Sequence, residues 1–167
     1  MHNPKYAVKG IFAIGDIVGR YLFKHNANNE AQYAYHNIIT PTTEKIPVNY
    51  YAMPHAIFSS PQIAGVVLKE QDLKRMSINY YKSVYPYIET AMGEAIDDRE
   101  GFVKFLVDKT DKKILGYHII GTEASTLIHE VLVAMRSGNG RIDSISGTIH
   151  IHPALSEVVA RAAGHKE

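Results

Sequence analysis

The chain has 167 residues, 46% of them apolar and 21% charged, which suits one good-sized globular domain or a small domain with an added segment. A formal net charge of +1 gives no electrostatic case for nucleic acid or an anionic membrane, no run approaches the ~18 apolar residues of a membrane span, and the opening MHNPKYAVKG lacks the apolar core of a signal peptide. Cysteine is absent, which excludes disulfides, thiolate metal sites and thiol redox centres within the chain, and a cytoplasmic location is expected.

The first apolar run, YAVKGIFAIGD over 6–16, reads as a short buried strand with a turn at its end. Residues 26–39 read as a helix capped by Asn26 or Asn28, with Ala27, Ala31, Ala34 and Ile38 on one face. TPTTEKIP, 40–47, reads as a linker and domain boundary. The Tyr-rich stretches, with Tyr33, Tyr35, Tyr50, Tyr51, Tyr80, Tyr81, Tyr85 and Tyr87, suit half-buried sheet positions or, as the alternative, interfaces.

Beyond the boundary, MPHAIFSSPQIAGVVL (53–68) predicts an edge strand or loop and then a strand, KEQDLKRM (69–76) a short helix, and INYYKSVYPY (78–87) a strand. GFVKFLVDKTDKKILGYHIIG (101–121) predicts a β-hairpin around the turn Thr110–Lys113. An amphipathic helix follows over 122–140, with Thr122 as N-cap, a stripe through Ala124, Leu127, Ile128, Val131, Leu132 and Met135, and Gly138 and Gly140 as its stop. RIDSIS reads as a short helix or turn, GTIHI as strand-like, and PALSEVVARAAG as a last helix with Pro153 in its first turn. Hairpin-linked strands with interspersed helices predict an α+β fold, an antiparallel sheet with helices packed on one face.

The chemistry concentrates in GTIHIHPALSEVV, 147–159. Strand-like alternation lets His150 and His152 face the same way. A metal site needs a third ligand, and none stands nearby at a standard spacing, so no metal is expected. A helix opening at Pro153 instead puts Glu157 about one turn in, where its carboxylate can turn back to the His152 ring. A carboxylate on one imidazole nitrogen fixes the tautomer and leaves the other nitrogen to take a proton. That reads as a base with its orienter and no nucleophile on the same chain, with two polar residues at a strand end as the plainer alternative. His129 reads as half-buried on its helix, His118 as a hairpin residue and His55 as a loop residue, all structural.

HIHPALSE resembles the C-terminal signature of the flavin-dependent pyridine nucleotide–disulfide oxidoreductases, most closely dihydrolipoamide dehydrogenase, with glutathione and mycothione reductases sharing the His-Pro and the glutamate. GIFAIGD followed by HNANNEA resembles the last flavin-binding segment of that family, and residues 53–70 and 101–135 resemble its interface domain. The resemblance implies a remnant of the FAD-binding domain over 1–45 and an interface or dimerisation domain over 46–167. It implies a homodimer in which His152 and Glu157 form the acid/base pair reaching the partner's flavin and redox disulfide. Asp16, the backbone from His25 to Ala27, and Pro153 would face the FAD. NAD would be the electron acceptor, and 2-oxo acid dehydrogenase complex components would be further partners.

The departures are also legible. Redox cysteines, a glycine-rich nucleotide loop and an NAD domain are missing from this chain, Ala154 replaces the usual threonine after His-Pro, and Val67 and Lys69 alter the usual Gly-Leu-Thr-Glu. The chain is therefore expected to be a C-terminal piece, inactive alone and without tight FAD binding, whose first strand packs on its own interface domain or on a neighbouring chain. A related thiol reductase and a non-catalytic dimerisation module are the alternatives. A stand-alone hydrolase would need a nucleophile elbow, and no Gly-x-Ser-x-Gly is present.

Overall fold

The computed structural model describes residues 10–40 and 45–165. Residues 6–9 of the first expected strand and 41–44 of the expected linker lie outside the described residues. The chain divides into two compact units, Met1–Tyr50 and Tyr51–Glu167.

The larger unit is built on five strands, β1 (Pro54–Ile57), β2 (Gln62–Val67), β3 (Tyr80–Pro86), β4 (Phe102–Asp108) and β5 (Ile114–Gly121). They form one antiparallel sheet in the order β1-β2-β5-β4-β3. The hairpin of β4 and β5 lies in the middle because each has apolar side chains to bury. Val103, Phe105, Val107, Tyr117 and Ile119 all point to one face and are fully or almost fully buried. On that face lie α4 (Ala124–Arg136), the short α5 (Asp143–Ser146) and α6 (Glu157–Gly164). Ile128, Val131 and Met135 of α4 and Val158, Val159 and Ala162 of α6 complete a single core with the sheet. The expected α+β layer is the observed one, with α4, α5 and α6 on one face of the sheet, while the short helix Glu70–Arg75 meets Lys104 on the other.

Polar contacts fix the arrangement. Ser83 of β3 donates to the Ala162 carbonyl at 2.6 Å, tying the sheet to α6. The helices α2 (Glu70–Arg75) and α3 (Ala91–Ala95) fill the connections on either side of β3. Glu70 is held by Lys104 of β4, and that bond pulls its carboxyl down to about 2. On the other sheet face, His55 and His118 both lean over Gly65: a Cβ there would meet their rings at 2.8 and 2.9 Å. His55 is thus a β1 residue rather than a loop residue, and burial pushes both imidazoles down. The start of α4 also differs from expectation. Glu123, in the left-handed region at φ 56°, stands at the N-cap in place of Thr122, whose amide donates to Asp98 at 2.8 Å. His129 is exposed, not half-buried.

The smaller unit contains α1 (Lys24–Ile39) and a 3₁₀ turn at Gly15–Val18. The expected strand is not there: residues 11–14 form no regular element, and Ile11 and Ile14 are exposed. An apolar run makes a strand only where a partner supplies its ladder, and within this unit the run instead lines a narrow cleft against Tyr33, Ala34 and Val48. The helix begins at Lys24, two residues before the expected start, with Phe23 at the N-cap and no side-chain cap. Asn26 is therefore not a cap but a buried first-turn residue, and Ile38 is exposed. Among the described residues no helix is long and apolar enough to cross a membrane.

Candidate active-site segment

The segment after α5, residues 148–156, has no strand or helix. GTIHI is therefore not a strand, since its alternation has no ladder to join. The last helix opens at Glu157 with Ser156 at its N-cap, so Pro153 lies before the helix and not in its first turn. The His152–Pro153 peptide is cis, and a compact turn over 153–156 leads into α6. Glu157 is consequently the first residue of the helix, where a carboxylate is favoured by the exposed amides and the dipole.

From there the carboxylate meets the imidazole as the sequence suggested. His152 Nδ1 lies 2.9 Å from Glu157 Oε1 and 3.1 Å from Oε2, and the Ala154 amide donates to Oε2 at 3.2 Å. The His152 hydrogen bond, with help from the Ala154 amide, holds the Glu157 carboxyl below its ordinary value. An ionised carboxylate only accepts, so Nδ1 carries a proton, and in the neutral ring Nε2 is left to offer its lone pair. The His152 side chain is 69% exposed, whereas Glu157 is 12% exposed. A ring held at its back by a nearly buried carboxylate and open at its front has the form of an acid/base group.

His150 does not share that outlook. Its side chain is 11% exposed and turns inward, with Nε2 at 3.3 Å from Glu130 of α4 and Nδ1 at 3.0 Å from the Thr148 carbonyl. The two histidines thus face different ways, because the segment is irregular and not a pleated strand. Among the described residues no group of three or more His, Cys, Asp or Glu could hold a metal ion. Glu130 escaped the sequence reading. Its only signal is an acid beside the apolar stripe of α4, and its partner is 20 residues away.

In the smaller unit, Asp16 is exposed in the 3₁₀ turn, whose Gly15 lies against the Lys24–Ile39 helix. One buried carboxylate ties these parts together. Glu30 accepts from Gly15 N at 2.6 Å, from Asn26 Nδ2 at 2.9 Å and from the Tyr50 hydroxyl at 2.7 Å. Burial, then the bond to Glu30, pushes the Tyr50 hydroxyl up to about 12. Gly15, at φ +73°, lies against Ala27, whose methyl would be 3.3 Å from any added Cβ. The Ala27 amide itself is used within the helix, donating to Phe23 O at 3.0 Å, so Ala27 packs the turn instead of offering an amide. Asn26 Oδ1 is buried with no partner. An exposed Asp16, a helix start without a side-chain cap at Lys24 and His25, and an unpartnered polar atom beside them fit the edge of a dinucleotide site. They fit its edge alone, since this chain holds no glycine-rich loop for the pyrophosphate.

Residues 53–163 match the family described as pyridine nucleotide-disulphide oxidoreductase, dimerisation domain. Mycothione reductase of Mycobacterium tuberculosis is 36% identical over 159 residues, which cover 93% of this chain and 35% of that protein. The mitochondrial dihydrolipoyl dehydrogenase of Dictyostelium discoideum is 38% identical over 156 residues, 93% of this chain and 31% of that protein. The fold also matches LpdA from Mycobacterium tuberculosis with a TM-score of 0.85 at 22% identity, over 96% of this chain and 34% of that one. The chain thus spans about a third of the length of the curated relatives it matches. These relatives are oxidoreductases, and a dimerisation domain implies assembly into an oligomer. The match covers the whole sheet and its helices through α6, so the chain belongs to the pyridine nucleotide-disulphide oxidoreductases and contributes their dimerisation domain.

Proposed function

We propose that this chain is the dimerisation part of a flavin-dependent, dihydrolipoamide dehydrogenase-like enzyme, and that His152 is its acid/base, with Glu157 as orienter. One observation carries the reading: the His152 ring is bonded at Nδ1 to Glu157 and exposed elsewhere. Nε2 takes the proton of a substrate thiol, which turns a weak nucleophile into a thiolate, and returns a proton on the reverse path. Glu157 keeps the ring in the tautomer with the lone pair outward and balances the imidazolium formed on proton transfer. This chain has no cysteine, so the thiolate attacks a disulfide carried elsewhere in the enzyme. In a homodimer that disulfide belongs to the partner subunit. Ile149 and Ile151, 98% and 76% exposed on the same segment, support burial of this edge against another subunit.

Bound FAD would supply the electron transfer from the dithiol to NAD. The residues of this chain that would touch the flavin cofactor are Asp16, through its exposed carboxylate, and the start of the first helix at His25. Pro153 would set the turn that presents His152. Components of a 2-oxo acid dehydrogenase complex are the partners that a dihydrolipoamide substrate implies. A mycothione-type disulfide is the second substrate reading, favoured by 36% identity to a mycothione reductase. In the complete enzyme, His152→Gln should lower kcat for thiol oxidation ~10²–10⁴-fold with FAD content unchanged. Wild-type kcat in that variant would remove His152 from the chemistry. Assay of dihydrolipoamide against reduced mycothiol separates the two substrates.

A further inference from the structure

Glu130 of α4 and His150 face each other across 3.3 Å, Oε2 to Nε2. The other ring nitrogen, Nδ1, lies 3.0 Å from the Thr148 carbonyl. A carbonyl only accepts, so this contact is a hydrogen bond when Nδ1 carries a proton. A neutral ring would then turn the lone pair of Nε2 onto an ionised carboxylate, which also only accepts. Both contacts are hydrogen bonds at once only with one further proton between the two groups, on the ring or on the carboxyl, since a neutral ring protonated at Nε2 would serve Glu130 and lose Thr148. The surroundings suit that state. Burial pushes the Glu130 carboxyl up, against the opposing pull of His150. Glu130 Oε1 is buried with no partner, as is the hydroxyl of Tyr117 on β5. Tyr117 is a titratable group that faces Glu130; burial first, and then Tyr87 and Glu130, push its hydroxyl well up.

The segment that carries His150 is otherwise held at its two ends, by Thr148 on the Ser144 and Ile145 carbonyls and by Leu155 against the core. No strand or helix covers residues 148–156, and Ile149 and Ile151 point outward. His150, between them, is the side chain that turns in. Downstream, Glu157 holds His152 and Ala154. The segment is therefore pinned at two points by carboxylates on two different helices. We propose that Glu130 and His150 form a proton-sharing clamp that sets where His152 stands, which makes both of them positioning residues for the acid/base step. This inference rests on the reading of His152 given above.

The clamp makes two variants behave differently. Glu130→Gln offers an amide N–H to a neutral His150 Nε2, so the tether survives without the extra proton. Glu130→Leu removes the tether. Histidine ring ¹⁵N and Glu carboxyl ¹³C spectra of the 167-residue chain at neutral pH should show one of two states in the wild type. Either His150 carries a second ring N–H, or Glu130 is protonated. A neutral ring beside an ionised Glu130 would overturn the clamp. Backbone ¹⁵N relaxation should show residues 149–151 loosened in Glu130→Leu and ordered in Glu130→Gln. In the complete enzyme, Glu130→Leu should lower kcat ~10–100-fold with KM little changed, the size expected for a misplaced reacting group. Glu130→Gln should recover most of that loss. Equal loss in both variants, or none in either, contradicts the clamp. If Glu130→Leu does not fold, the wild-type ring spectrum and the Gln variant still decide. Wild-type activity in His152→Gln would sink the acid/base reading separately, while the ring spectrum would still judge the pair.

Discussion

The Glu157 carboxylate accepts from two donors at once, the His152 ring at 2.9 Å and the Ala154 amide at 3.2 Å. The second donor is main chain, so the carboxylate cannot simply follow the ring if the ring swings. The direction of the imidazole is therefore fixed by the start of α6. Glu157→Gln keeps an acceptor for Nδ1–H but loses the charge. It should leave the His152 tautomer unchanged in ring ¹⁵N spectra and reduce kcat of the complete enzyme ~10-fold or more, below the full worth of the base. Glu157→Ala should lose the tautomer preference as well. A Gln variant with scrambled tautomers would show that charge, not hydrogen bonding, orients the ring.

Glu70 gives the pH dependence its clearest sign. The bond from Lys104 is the largest cause pulling its carboxyl to about 2 from an ordinary 4.5. A group depressed in the folded state stabilises above its unfolded value and loses that contribution as pH falls through the folded value. Thermal melts of wild type and Glu70→Gln should therefore differ from neutral pH down to about pH 4.5, and converge as pH nears about 2. A gap of constant size across that window would mean that Glu70 acts by packing and not by charge.

Phe105 and Tyr117 meet at 4.7 Å between ring centroids, in the middle of the sheet and beneath the helices. Phe105→Ala should cost ~3–5 kcal/mol in urea unfolding, the usual range for a fully buried aromatic. A loss below ~1 kcal/mol would mean that this layer is loosely packed. Because α6 rests on β4, the same variant should also blur the ring signals of His152.

How far could these features be read from the residues alone? The β4–β5 hairpin was legible because two apolar runs flank the polar Thr110–Lys113 turn, and α4 because its apolar spacing matches one buried stripe. IFAI and GTIHI were not, since both have strand-like patterns and neither finds a ladder within its unit. Strand formation depends on a neighbour that the local sequence does not reveal. The His152–Glu157 contact was readable because both residues lie within one turn-and-helix segment. Its route was not: Pro153 precedes the helix by four residues, and Glu157 opens it. Glu30 and Glu130 were invisible, because Gly15 and Tyr50 for the one and His150 for the other lie 15 to 20 residues away.

The smaller unit carries a ligand prediction. If the chain belongs beside a flavin as proposed, Asp16 and the start of α1 would offer FAD an edge without a pyrophosphate cradle. Fluorescence titration of the 167-residue chain should show no saturation at micromolar FAD. Tight binding would show that these residues suffice for the cofactor and that the fit is more than partial.

The central claim, that His152 serves chemistry on the partner subunit, is tested most directly by complementation between two inactive subunits of the complete enzyme. One subunit carries His152→Gln and the other lacks the redox disulfide. Coexpressed as a heterodimer, the pair has one site with an intact disulfide and, across the interface, an intact His152. The account predicts recovery to about half the wild-type kcat, because one of the two sites is whole. A heterodimer as inactive as its parents would place His152 in its own subunit's site, or outside the reaction.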